Sequence, residues 1–194
     1  MNMLGSRTIE TERLILRATS ESDLKTLWEI LCIPDVNKYY LTSKLSYDWE
    51  DEEKWQYKKL SRANKPDVFQ WSIIKKEDNK CIGQISVQEK EDSPIYDRDI
   101  GWFITPEEQG KGYAFESAIN VMDYMFNEVG IDSIETGSAI CNEASFGLME
   151  KLGFNRRGNN THKQKYTFVD ELLDCYSYGI THEEYKSKNI KNYY

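Results

Sequence analysis

Six consecutive residues, Gln109-Gly110-Lys111-Gly112-Tyr113-Ala114, have the make-up of an anion-binding turn. A strand-like run from Asp99 to Thr105 and a break at Pro106 precede them, and a long amphipathic segment ending at Gly130 follows directly. The first turn of a helix carries unpaired backbone N–H groups and the positive end of the macrodipole. Glycines just ahead of it let the chain curl so that several N–H groups converge on one anion. A strand, such a loop and a helix together make a diphosphate site. The plainer alternative is that Gly110 and Gly112 only make a tight turn; the flanking strand and helix weigh against it.

The helix is written in the spacing. Ala114, Ala118, Val121, Met122, Met125, Phe126 and Val129 recur on one face, while Glu116, Asn120, Asp123 and Asn127 fall on the other. Gly130 follows as a left-handed C-terminal cap would. Neither common nucleotide motif fits the loop. A P-loop requires Ser or Thr after its lysine, and Gly112 follows Lys111; a dinucleotide fingerprint requires a third glycine, and Phe115 stands there.

The remaining pattern, Gln-x-x-Gly-x-Ala over Gln109, Gly112 and Ala114, resembles the acyl-CoA pyrophosphate loop of the GNAT N-acetyltransferase superfamily. Asn142-Glu143-Ala144-Ser145 followed by Glu150-Lys151-Leu152-Gly153-Phe154 supplies a second block, and Thr11-Glu12-Arg13-Leu14-Ile15-Leu16-Arg17 a third. In this order they are most similar to the Rim-type branch, which acetylates the N-termini of ribosomal proteins. The resemblance spans about residues 9 to 186 and implies a mixed α/β fold: a central, mostly antiparallel twisted sheet flanked by helices, with acyl-CoA bound at the unit 99–130. One domain over 1–194 is expected, with a mobile tail from Lys186 to Tyr194.

The same resemblance implies a division of labour. Backbone N–H groups of Gln109, Gly110, Lys111, Gly112, Tyr113 and Ala114 would take the pyrophosphate of acetyl-CoA, with the Lys111 side chain either helping or solvated. The pantetheine arm would lie beside the strand carrying Phe103 and Ile104, and the Phe103 N–H is the expected donor to the thioester carbonyl. Many members place a proton-donating tyrosine just before the Glu-Lys-Leu-Gly-Phe block, but Met149 stands there and has no proton to give. The Rim-type branch offers a serine three residues after the asparagine, so Ser145 is the expected acid and Asn142 a contact to cofactor or substrate, with Tyr113 in reserve. As local structure alone, Asn142 would be an N-cap and Ser145 an ordinary first-turn residue. Glu135 and Glu89 are candidate bases, each equally readable as solvated surface.

Composition narrows the field further. A net charge of −8 over 194 residues argues against general affinity for nucleic acid and suits either a cationic acceptor or simple solubility. Cys32, Cys81, Cys141 and Cys175 are scattered and His162 and His182 lie far apart, so neither a disulfide framework nor a metal site is indicated. No apolar run of membrane-spanning length and no secretion signal are visible, which gives an expectation of a cytoplasmic protein, monomeric or homodimeric. The Asn159-Asn160-Thr161 sequon is then incidental.

Around the central unit the pattern predicts a strand over 11–17, then a helix capped by Thr19 or Ser20 and ended by Pro34. A second helix over 49–62, a hairpin of strands 68–75 and 81–88 turning at Asp78-Asn79, and a loop at Asp92 to Pro94 follow. Beyond Gly130 come a strand over 133–140, a short helix from Asn142 to Gly153, strands over 154–157, 163–168 and 172–180, and a capping box of Thr181 with Glu184. The acceptor pocket is expected from the first helices and last strands. Trp28, Tyr39, Tyr40, Trp49, Trp55, Trp71 and Tyr166 either shape it or pack the core. The acceptor would be a primary amine: a peptide N-terminus or a small molecule such as a polyamine or an antibiotic. A non-catalytic acyl-CoA-binding protein and an unrelated nucleotide-binding module are the competing readings.

Overall fold

The computed structural model describes residues 2, 4–40, 45–63, 65–89, 98–158, 161–166 and 168–188. The expected loop at Asp92 to Pro94, the sequon asparagines, the Trp55 side chain and the tail beyond Lys188 lie outside the described residues.

Among the described residues nine strands form one sheet: β1 (Ile9–Glu10), β2 (Leu14–Ala18), β3 (Phe69–Lys75), β4 (Cys81–Glu89), β5 (Arg98–Ile104), β6 (Ser133–Ala139), β7 (Asn155–Arg156), β8 (His162–Lys165) and β9 (Leu172–Thr181). The order is β1-β2-β3-β4-β5-β6-β9-β7, with β8 also on β9. The pairing is antiparallel throughout except between β5 and β6, which are parallel. The helices are α1 (Glu21–Leu31), α2 (Pro34–Asn37), α3 (Trp49–Ala63), α4 (Tyr113–Tyr124), α5 (Glu143–Lys151) and α6 (His182–Lys188). The expected mixed α/β architecture is the one observed.

Alternation along β5 divides the two faces. Ile100 and Ile104 join the larger core, with Val121, Met122, Met125 and Phe126 from the α4 side. Phe103 turns to the opposite face and packs with Leu27, Ile30 and Leu31 of α1 and Val36 of α2. The sheet is thus covered on both sides, and β5 is its middle.

Local signals placed most boundaries. Gly130 closes the long helix with φ 77°, accepting the role of left-handed cap after a single π-helical turn over Met125–Val129. The Thr181–Glu184 box is present in both directions, at 2.8 and 3.2 Å. Ser20, rather than Thr19, caps α1, its N–H donating to Asp23 Oδ2 at 2.8 Å. Three expectations need correction. Pro34 opens α2 rather than merely ending α1, because proline's missing N–H costs nothing in a first turn. β8 covers His162–Lys165 instead of 163–168, since its register is set by β9 across the sheet. Lys186 to Lys188 belong to α6, not to a loose tail.

Candidate active site

The parallel pair at mid-sheet barely holds. β4 and β5 are in register over all seven residues of β5, whereas β5 and β6 pair only at Arg98↔Ile134 and Asp99↔Glu135. Beyond Asp99 the two strands part, and a cleft of about 1080 Å³ opens between them. Its lining includes Phe103, Ile104, Gln109, Gly110, Gly112, Tyr113, Ala114, Asn142 and Ser145. Two sequence blocks far apart in the chain, the strand–loop–helix unit and the Asn142 segment, therefore meet in one place.

The loop has the backbone its glycines predict. Gly110 and Gly112 both have left-handed φ, 73° and 84°, and Gly112 is the N-cap of α4. The first i→i−4 bond of that helix runs from the Glu116 N–H to the Gly112 carbonyl, so the preceding N–H groups point out of the helix end. Lys111 does not line the cleft. Its ammonium pairs with Glu108 at 2.9 Å, and Lys75 holds the other oxygen of Glu108 at the same distance. Those two lysines hold the Glu108 carboxyl below the ordinary glutamate range, so it is an ion-pair partner and a poor base.

Arg13, from the first sequence block, is the cation at the loop that the sequence reading passed over. It donates to the Lys111 carbonyl at 2.9 Å, pairs with Glu116 at 2.7 Å and stacks 4.6 Å above the Tyr113 ring. Glu116 also accepts the Thr11 hydroxyl at 2.6 Å and the Arg13 N–H at 2.8 Å. Burial alone would raise the Glu116 carboxyl, but these donors outweigh it and hold it low. Glu116 therefore buckles the loop to β2 instead of lying on a solvated helix face.

On the strand itself one expectation changes. The Phe103 carbonyl points at β4: a Cβ on Gly83 would meet that oxygen at 2.1 Å. N–H and C=O of one strand residue point the same way, so the Phe103 N–H also faces β4 and is not the donor to the cleft. The cleft edge belongs to Ile100, Trp102 and Ile104. Two of their carbonyls show it, Ile100 accepting the Thr136 hydroxyl at 2.9 Å and Ile104 the Gln109 side chain at 2.9 Å. Phe103 lines the cleft by its side chain alone.

Asn142 is the N-cap of α5, accepting the Ser145 N–H at 3.4 Å. Ser145 is half-buried in the cleft, and among the described residues its hydroxyl engages no protein group. Met149 lines the same wall. Neither carboxylate singled out beforehand lines the cleft. Glu89 sits opposite Arg98 at the far end of β5 and lies 3.4 Å from its guanidinium. Glu135 is placed where β6 is still paired on both edges, to Asp99 and to Gly179. Its register partner Asp99 does line the cleft, a residue missed because its position follows from strand pairing and not from any motif. Tyr39, Tyr40 and Tyr166 are wall residues, as is Trp102; Trp71 is core, and Trp28 packs on Trp49 with ring centroids 5.2 Å apart.

The model of the Acetyltransferase (GNAT) domain matches residues 13–155, from Arg13 through the loop to the start of β7. The chain belongs to the GNAT acetyltransferase family. A relative over nearly the full length of both proteins is the uncharacterized N-acetyltransferase YnaD of Bacillus subtilis, 27% identical over 177 residues, 91% of this chain and 98% of the relative. Two solved GNAT structures share the fold. A spermidine N-acetyltransferase from Vibrio cholerae, in complex with CoA and spermine, superposes with a TM-score of 0.75 at 20% identity, covering 91% of this chain and 99% of that one. The ribosomal-protein-S5-alanine acetyltransferase of Vibrio fischeri gives 0.72 at 21% identity, covering 92% and 98%. This GNAT chain is an N-acetyltransferase.

Proposed function

We propose that this GNAT enzyme moves the acetyl group of acetyl-CoA directly onto a primary amine within a ternary complex, a protein N-terminal α-amine being the favoured acceptor. The observation that carries the reading is the parting of β5 and β6 over a glycine loop, with the Ser145 hydroxyl in the same cleft. The loop N–H groups and Arg13 suit a diphosphate, and the cleft edge of β5 suits an extended amide arm.

In the transfer, the amine lone pair forms the C–N bond while the C–S bond breaks. N–H groups of Trp102 and Ile104 face the position of the thioester oxygen and stabilise its developing charge, an effect worth ~3 kcal/mol for one such donor. Ser145 gives its proton to the departing thiolate and regains one from solvent. Asp99, at the apex with Glu135 beside it in register, draws the cationic acceptor to the point of attack. Holding the two reactants together supplies an effective molarity on the order of 10⁵ M or more. An α-amine, with a pKa of about 8, is roughly a quarter neutral near pH 7.5, whereas a lysine-type amine is only about 0.1% neutral. The former therefore needs less base catalysis. The V. cholerae neighbour, in complex with spermine, keeps a polyamine as the second acceptor to assay.

Ser145→Ala is expected to lower kcat about 100-fold with acetyl-CoA affinity changed less than about twofold, measured by thiol release with an alanine-initiated peptide and with spermine. Parental turnover in that variant would remove Ser145 from the mechanism.

A further inference from the structure

Two glycines face each other where the cleft opens. Asp99 and Glu135 are the last residues in register between β5 and β6, and the next positions on the same face are Gly101 and Gly137. Neither has a side chain to close the gap. Near each stands a polar ring, and the Tyr176 carbonyl lies closer still to the Gly137 position, at 3.1 Å. The Tyr40 ring and hydroxyl lie 3.7 and 3.8 Å from where a Cβ on Gly101 would sit, and His162 Cε1 lies 3.9 Å from that of Gly137. Both rings line the cleft.

The two rings are not equivalent. Burial pushes the Tyr40 hydroxyl up to about 12, with Asp99 adding to the effect and the Ser86 hydrogen bond offsetting part of it, so Tyr40 keeps its proton. His162 is solvent-exposed at the end of β8, and its Nδ1 lies 3.2 Å from Ser177 Oγ on β9. An imidazole there can exchange protons with bulk water. Cys175, in register opposite His162, and Tyr166, just past the end of β8, are both raised by burial and stay neutral. Asp174 is engaged by Lys163 at 2.8 Å and by Thr161 at 3.1 Å. From β6 the charged neighbour is Glu135, two residues before Gly137, and just after α2 it is Lys38, stacked over Tyr39.

We propose that the acceptor amine reaches the thioester through this glycine-flanked window and passes its proton to His162, with Ser177 as the positioning residue. The inference rests on the transfer reading above and names the base which that reading lacks. With Nδ1–H donating to Ser177 Oγ, the Nε2 lone pair receives the N–H proton as the C–N bond forms, and the imidazolium discharges to solvent. Tyr40, on the opposite jamb, donates a hydrogen bond to the incoming acceptor.

The test is the pH dependence of kcat/KM for His162→Gln, which keeps a partner for Ser177 but cannot carry the proton. In the parent, kcat/KM is expected to rise with pH along an acid limb that reports a single deprotonation. In His162→Gln that limb disappears and kcat/KM near pH 7.5 falls about 30-fold or more, while acetyl-CoA affinity and the thermal midpoint are unchanged. Ser177→Ala lowers kcat/KM severalfold and displaces the limb. A parental profile in His162→Gln overturns the role of His162, and so does a uniform drop with the limb retained. Failure of the parent itself to bind acetyl-CoA would bring down the transfer reading instead, so the two failures are separable.

Discussion

Gly112→Val is expected to raise the Kd for acetyl-CoA about 10- to 100-fold while leaving the thermal midpoint nearly unchanged. Gly112 has φ 84°, a conformation that a β-branched residue adopts only under strain, and its Cβ would come 3.3 Å from Arg13 Nη2. Strain of this kind costs about 1–3 kcal/mol, and a loop at the protein surface sheds it by changing shape. The N–H groups that converge on the diphosphate are then lost from register, and each 1.4 kcal/mol is about tenfold in affinity. Gly110→Ala separates strain from crowding: φ there is 73°, but nothing lies within 4 Å of the new methyl. It should cost only a few-fold. Calorimetry on both variants checks the order, and unaltered binding by Gly112→Val would mean that the loop does not hold the donor.

The second large effect falls on stability. Asp23 is 4% exposed and grips Arg17 by both oxygens, at 2.6 and 2.8 Å. It also accepts the Ser20 N–H at 2.8 Å and the Ser72 hydroxyl at 3.0 Å, tying the start of α1 to β2 and β3. Asp23→Ala leaves those donors and the guanidinium without their partner. Removing one member of a buried pair costs 3–5 kcal/mol, and because Arg17 is 35% exposed the lower end applies. A loss of about 3 kcal/mol corresponds to a thermal midpoint roughly 6–12 °C lower for a chain of this size. Burial would raise the Asp23 carboxyl, but Arg17, Ser20 and Ser72 outweigh it and hold it below the ordinary aspartate range. A depressed carboxyl contributes fully above its unfolded pKa and loses that contribution as pH falls through the folded value. The gap between parent and variant should therefore be constant near neutrality and shrink below about pH 4. Urea midpoints at pH 7 and pH 3.5 measure it; a gap that widens on acidification would contradict the assignment.

What could be read from the sequence was whatever is encoded locally. The strand, the paired glycines, the amphipathic run and Gly130 specify the loop and its helix within some thirty residues, and Asn142 or Thr181 with Glu184 announce their caps a turn ahead. The residues that were missed depend on relations between distant segments. Asp99, Gly101 and Gly137 acquire meaning only when β5 and β6 are laid in register, and no spacing along the chain shows where two parallel strands will part. His162 reaches the cleft wall because β8 lies on β9, a pairing set by a strand ten residues further on. Neighbouring residues of a strand alternate the direction of both side chain and N–H, so no motif along the chain shows that the Phe103 N–H faces β4. Glu116 looked like solvent-facing helix surface because its partners, Thr11 and Arg13, lie more than a hundred residues upstream.

The central claim is that the cleft between β5 and β6 holds acetyl-CoA as a donor of the acetyl group. Calorimetric titration of acetyl-CoA into the purified protein, with ATP and NAD as controls, tests it most directly. Saturable binding of one acetyl-CoA per chain, with neither control bound, is the predicted result. No binding at millimolar acetyl-CoA would reduce Gln109 to Ala114 to an ordinary turn and contradict the account.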